Sequence, residues 1–166
     1  MDQRKLRGQD RAPIVEALRA YAARDPVSFH VPGHKRGTSF LSDPEIASWL
    51  GAAGPYDATE LPGLDDLHAP SGVIREAERL AAELFGAERT YFLVGGSTVG
   101  NLAMLHAVCD PGDLVLMQRN VHKSALHALM LARGRAVMMA PEMDERTGLY
   151  GGVRPETVEK ALRAHP

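Results

Sequence analysis

The stretch LVLMQRNVHKSALHALMLARGRAVMMA, Leu114 to Ala140, decides the fold. Leu114–Gln118 and Ala136–Ala140 are short apolar runs with little polar alternation, the pattern of strands covered on both faces. Between them His122 to Arg133 reads as a helix, closed by Gly134. Strand, helix, strand in so short a span predicts a parallel crossover, with helices on the faces of a sheet.

Upstream, TYFLV (Thr90–Val94) reads as another buried strand, broken by GGSTVGN. A helix is expected over Leu102 to Cys109, then a turn at Asp110-Pro111-Gly112-Asp113. In VIREAERLAAELFG the apolar residues Val73, Ile74, Ala77, Leu80, Ala81, Leu84 and Phe85 form a helical stripe, and Gly86 is the stop. Pro13–Ala23 and Pro155–Ala164 read as helices that open on proline. Ser28 to Gly72 is long, irregular and dense in Pro and Gly, an arm suited to packing on another subunit or over a site. The expected organisation is an N-terminal helix and arm over residues 1–72, then the first part of an α/β domain over 73–166. Its parallel sheet is three-stranded and incomplete, with an edge that a partner or further chain must cover.

The chain has 166 residues, 45% hydrophobic and 24% charged, which suits one globular domain. A net charge of −2 gives no electrostatic reason for a nucleic-acid or anionic-membrane partner. Cys109 is the only cysteine, so no disulfide forms within the chain and a reducing cytoplasm is the natural setting. MDQRKLRGQD lacks the apolar core of a signal peptide, and no apolar run approaches the roughly 20 residues of a membrane span.

LVGGSTVGN, Leu93 to Asn101, is the sharpest local feature. Helix N-termini present free N–H groups and the positive end of the dipole to anions. Glycine allows close backbone approach, and Ser97 and Thr98 add hydroxyl donors. A phosphate site is one reading; Ser97 as a simple helix cap is the other. RNVHKS, Arg119 to Ser124, follows the next strand and lies at its carboxyl end, where open α/β sheets bind ligands. There His122 could stack on an aromatic ring and Lys123 could serve as an amine, or His122 could cap a helix and Lys123 stay solvated. His30, His34 and His68, with Asp57, Glu60, Asp65 and Asp66, show no metal-ligand spacing on a helix. Asp65 and Asp66 suit a turn between Pro62-Gly63 and Pro70. Cys109 suits a small core residue better than a nucleophile.

Together FHVPGHKRG, TELPGLDDLHAPSGVIREAERLAAELFGAERTYFLVGGSTVGN and CDPGDLVLMQRNVHKS, in this order, resemble the pyridoxal-phosphate-dependent ornithine/lysine/arginine decarboxylases. The match is to their compact bacterial form, without an extra N-terminal receiver-like domain, and runs from about Phe29 onward. The resemblance implies the aspartate-aminotransferase fold (type I, three αβα layers), a homodimer with sites at the subunit interface, and pyridoxal 5'-phosphate as cofactor. It implies that Gly96, Ser97 and Thr98 bind the cofactor phosphate and that His122 stacks on its ring. It further implies a small basic amino acid as substrate, with carbon dioxide and a diamine or agmatine as products, in polyamine biosynthesis. Lys123 is then a neighbour of the stacking histidine.

In the family, the aspartate beside the pyridine nitrogen and the Schiff-base lysine lie downstream of that histidine. No position here matches either; the lysines are Lys5, Lys35, Lys123 and Lys160. The expectation is an N-terminal portion, inactive alone. Gly95 stands where the family often has Asn, and Val99 where a small polar residue is common. His34, Lys35 and the acids around Glu60 fall in blocks that lie near the family's active site. A non-catalytic remnant, a phosphate-binding or docking module, and another enzyme of the same cofactor such as an aminotransferase remain alternatives. The TELPGLDDLHAPSG block speaks against the last, by resemblance only.

Overall fold

The computed structural model describes residues 8–166; the polar start of the chain, with Lys5, lies outside them. Two units divide it, Met1–Phe92 and Leu93–Pro166.

In the first unit, α1 (Pro13–Ala23) opens on proline, and the Glu16 carboxylate accepts from the Ala12 N–H at 3.0 Å. The irregular region expected over Ser28 to Gly72 holds one short helix, α2 (Pro44–Leu50), and two 3-10 turns, Thr38–Phe40 and Gly54–Tyr56. Asp43 caps α2 by accepting from the Glu45 and Ile46 N–H groups. Lys35, Arg36 and Gly37 all have left-handed φ, so the chain reverses there. That reversal sits against Gly54, where a Cβ would lie 2.4 Å from the Gly37 Cα; only glycine fits. The Arg36 guanidinium ties the turn to α1's end through the Ala22 and Pro26 carbonyls and Asp25. α3 (Val73–Phe85) packs against α1, burying Tyr21, Leu80 and Ala82. Gly86, at φ 67°, ends it.

In the second unit, α4 (Gly96–Val108) precedes one crossover of β1 (Leu114–Gln118), α5 (Lys123–Leu131) and β2 (Arg135–Met139). β1 and β2 pair in parallel, from Leu114 opposite Arg135 to Gln118 opposite Met139. α5 packs against α4 and β2, and Leu105, Met117, Ala125, Ala128 and Leu129 make the core. Cys109 is half-buried against that core. A hairpin follows, β3 (Met143–Asp144) with β4 (Leu149–Tyr150), turned by the Asp144 carboxylate and Gly148 at φ 69°. α6 (Pro155–Ala164) closes the chain and touches β2.

The fold is thus mixed helix and sheet with a parallel pair, but three expectations need correction. Thr90–Val94 is not a strand. Its apolar side chains suit one, yet a strand needs a neighbour for its N–H and C=O groups, and none pairs with it: Tyr91, Leu93 and Val94 stand exposed. The sheet therefore has two parallel strands rather than three. The helix expected from Leu102 starts at Gly96, because Gly95 already makes the break. Among the described residues no helix is long and apolar enough to cross a membrane.

Candidate functional site

The second unit holds the residues singled out as phosphate and ring contacts. Gly95 is the N-cap of α4, and no side chain caps the helix. Ser97 is therefore not a cap; it lies inside the first turn with Thr98, both exposed. The first-turn N–H groups have no side-chain acceptor, and the helix dipole adds its positive end. Gly96 takes φ 65°, and a Cβ there would meet nothing within 4 Å. Bare backbone, free N–H groups and two hydroxyls make a donor set for a phosphate-sized anion.

β1 delivers the second group. The Arg119 N–H extends the ladder to the Met139 carbonyl at 2.8 Å, and the Val121 N–H closes a turn on Gln118 at 3.0 Å. His122 then enters α5 as its N-cap. Its Nδ1 lies 3.2 Å from the Ser124 N–H and 2.8 Å from the Ser124 hydroxyl. That hydroxyl accepts from Asn101 of α4 at 2.7 Å. His122 and Lys123 are both exposed, so the imidazole caps with one edge and presents the rest outward. Asn101 and Ser124 were missed in the sequence because their contact spans 23 positions.

The first unit carries the other candidates. The His34 ring accepts from the Gly37 N–H on Nδ1 at 2.8 Å, donates from Nε2 to Asp57 at 3.1 Å, and packs on Phe40. His30 meets the Tyr21 hydroxyl at 2.7 Å. The Thr59 hydroxyl donates to Glu60 and holds that carboxyl below its usual range. Asp65 is more than a turn residue. It accepts from the N–H groups of Asp66, Ser71, Gly72, Ile74 and Arg75, at 2.7 to 3.3 Å. Partial burial pushes its carboxyl up, but the Ser71, Asp66, Gly72 and Arg75 N–H groups outweigh that and hold it well below the carboxylate range. Asp66 accepts from the His68 N–H. Among the described residues no group of three His, Cys, Asp or Glu could hold a metal ion.

A family model described as Orn/Lys/Arg decarboxylase, major domain, matches residues 12–166. The chain belongs to the Orn/Lys/Arg decarboxylase family. Two proteins of Bacillus subtilis (strain 168) are similar to it. The uncharacterized protein YaaO is 47% identical over 93% of this chain and 32% of its own length. An arginine decarboxylase is 41% identical over 95% of this chain and 32% of its own. The solved lysine decarboxylase A from Pseudomonas aeruginosa superposes with a TM-score of 0.76 at 28% identity, over 98% of this chain and 23% of that one. The chain thus spans about a third of the length of the curated relatives it matches.

Proposed function

We propose that this chain is the N-terminal portion of a pyridoxal-5'-phosphate-dependent decarboxylase acting on arginine, lysine or ornithine. Its products are carbon dioxide and agmatine or a diamine. The observation that carries the reading is the uncapped N-terminus of α4, in a chain that belongs to a family of amino-acid decarboxylases. The donor set there fits the cofactor phosphate: Gly96 would admit it, and the first-turn N–H groups with the Ser97 and Thr98 hydroxyls would donate to it. The His122 imidazole, held at the carboxyl end of β1, is the group that would stack on the cofactor ring. Once bound, the cofactor supplies the electron sink into which the substrate's carboxylate bond breaks.

This chain's residues anchor the phosphate and hold the ring plane. The lysine that bonds the cofactor and the aspartate at the pyridine nitrogen belong, on this reading, to the portion of the relatives that this chain does not span. Residues 1–72 supply an N-terminal helix and an arm, and 73–166 begin a three-layer type I domain that works as a cytoplasmic homodimer. Substrate choice among the three amino acids rests outside the residues placed here.

The test is titration of the chain with pyridoxal 5'-phosphate, followed by absorbance. Saturable binding is expected. Ser97→Ala should weaken it at least tenfold, since a hydrogen bond to a charged group contributes about 1.5–3 kcal/mol. Equal affinity in the variant, or no saturable binding, would overturn the phosphate assignment.

A further inference from the structure

We propose that Asn101 and Ser124 are positioning residues that fix the tautomer and the plane of the His122 imidazole. The proposal rests on the reading of His122 as the group facing the cofactor ring.

The argument is one of hydrogen-bond direction. The Ser124 backbone N–H can only donate, and it faces the His122 Nδ1 at 3.2 Å. That contact is long, so it favours a lone pair on Nδ1 without fixing it; the shorter hydroxyl contact decides, and places the proton of the neutral ring on Nε2. The Ser124 hydroxyl lies 2.8 Å from the same nitrogen. Its oxygen already accepts from the Asn101 Nδ2 at 2.7 Å, so its hydrogen is free to point at Nδ1. The order runs Asn101 N–H to Ser124 oxygen, then Ser124 O–H to His122 Nδ1. Ser124 is 2% exposed, so water does not compete for these bonds.

The relay also joins two tasks in one rigid element. Asn101 stands on α4, one turn past Ser97 and Thr98. The helix whose start offers donors to a phosphate carries, on its next turn, the amide that directs the imidazole. Nε2 has no hydrogen-bond partner among the described residues, so the relay leaves this N–H edge open.

The experiment reads the tautomer directly. Long-range ¹H–¹⁵N correlation spectra of the 166-residue chain, labelled at its seven histidines, are recorded without cofactor at about pH 8, above the ordinary imidazole range. The His122→Gln variant assigns the signal. The expected result is His122 in the Nε2–H form. Asn101→Asp replaces the donor by an acceptor, draws the Ser124 O–H to itself, and turns the serine's lone pair toward Nδ1. The signal should then shift toward the Nδ1–H form, a change that mere packing would not produce. Ser124→Thr keeps the hydroxyl and should keep the wild-type tautomer.

An Nδ1–H form in the wild type overturns the proposal without any variant. An unchanged tautomer in a folded Asn101→Asp protein also overturns it. If Asn101→Asp does not fold, Asn101→Ala takes its place: it leaves the serine hydroxyl undirected, so the Nδ1–H population must rise, and an unchanged one overturns the proposal. Addition of pyridoxal 5'-phosphate separates the two readings. A tautomer that follows position 101, with no response of His122 to the cofactor, keeps the relay and removes the ring assignment. The reverse pattern keeps the ring assignment and removes the relay.

Discussion

Asp65 lies well upstream of α3 in sequence, yet its carboxylate accepts the N–H groups of Ile74 and Arg75 in that helix's first turn. It also gathers Asp66, Ser71 and Gly72, so one side chain holds the loop and the helix start together. Its folded-state proton affinity is depressed, so its stabilisation is complete above the ordinary Asp range and is lost as pH falls below about 4. Asp65→Asn should cost about 2–3 kcal/mol near neutral pH and flatten the acid limb of the unfolding curve; equal acid limbs in urea titrations would refute this. Gly95 and Val99 form a second residue-scale pair. A Cβ on Gly95 would lie 3.0 Å from the Val99 Cβ, although the backbone there, at φ −88°, admits any residue. Gly95→Asn alone should therefore cost about 1–3 kcal/mol by overpacking, and Val99→Ser, which keeps the Cβ but trims the γ-carbons at 3.3 and 3.4 Å, should relieve part of it. Additivity in the double-mutant cycle would disprove the coupling. The place of His122 at a helix start could be read from sequence because the junction of β1 with α5 is a local pattern, and the GG break marks the turn that holds Ser97 and Thr98. Asn101 and Ser124 could not, because their contact spans 23 positions; Asp65 could be read as a turn residue, but not as the acceptor of N–H groups up to ten positions on.

Among the elements, β1, α1, α3 and α6 run where periodicity and punctuation place them, because proline starts and glycine stops act within a few residues. Thr90–Val94 shows the limit of such reading. Apolar, β-prone composition describes a face to be buried, whereas a strand also requires an edge to pair with. The β3–β4 hairpin went unread for the complementary reason: its strands are too short for a period, and only the Asp144 and Gly148 turn chemistry marks it. α5 carries the densest core of the second unit, with Leu129 only 6% exposed. Leu129→Ala should destabilise the chain by about 2–4 kcal/mol, read as a lower urea midpoint; an unmoved midpoint would mean that this unit does not fold around α5.

At the scale of the molecule, large apolar side chains stand in solvent: Phe29 is 92% exposed, Val94 81% and Phe85 80%. Surface of this kind seeks a cover, so the purified chain should self-associate and bind a hydrophobic dye. A monodisperse, dye-silent monomer in light scattering would count against this. With pyridoxal 5'-phosphate and arginine, lysine or ornithine, the chain alone should release no carbon dioxide; release would overturn the assignment of the amine to residues this chain lacks. The sequence by itself determined the crossover of β1, α5 and β2, because it is written in contiguous residues whose spacing acts locally, and it carried the resemblance to the family. Only the tertiary structure decided that Thr90–Val94 stays unpaired, that Asp65 caps α3, and that Asn101 reaches His122 through Ser124. Those outcomes depend on hydrogen bonds, made or missing, that no sequence period encodes, and a hydrogen bond's partner is chosen by distance and direction in space.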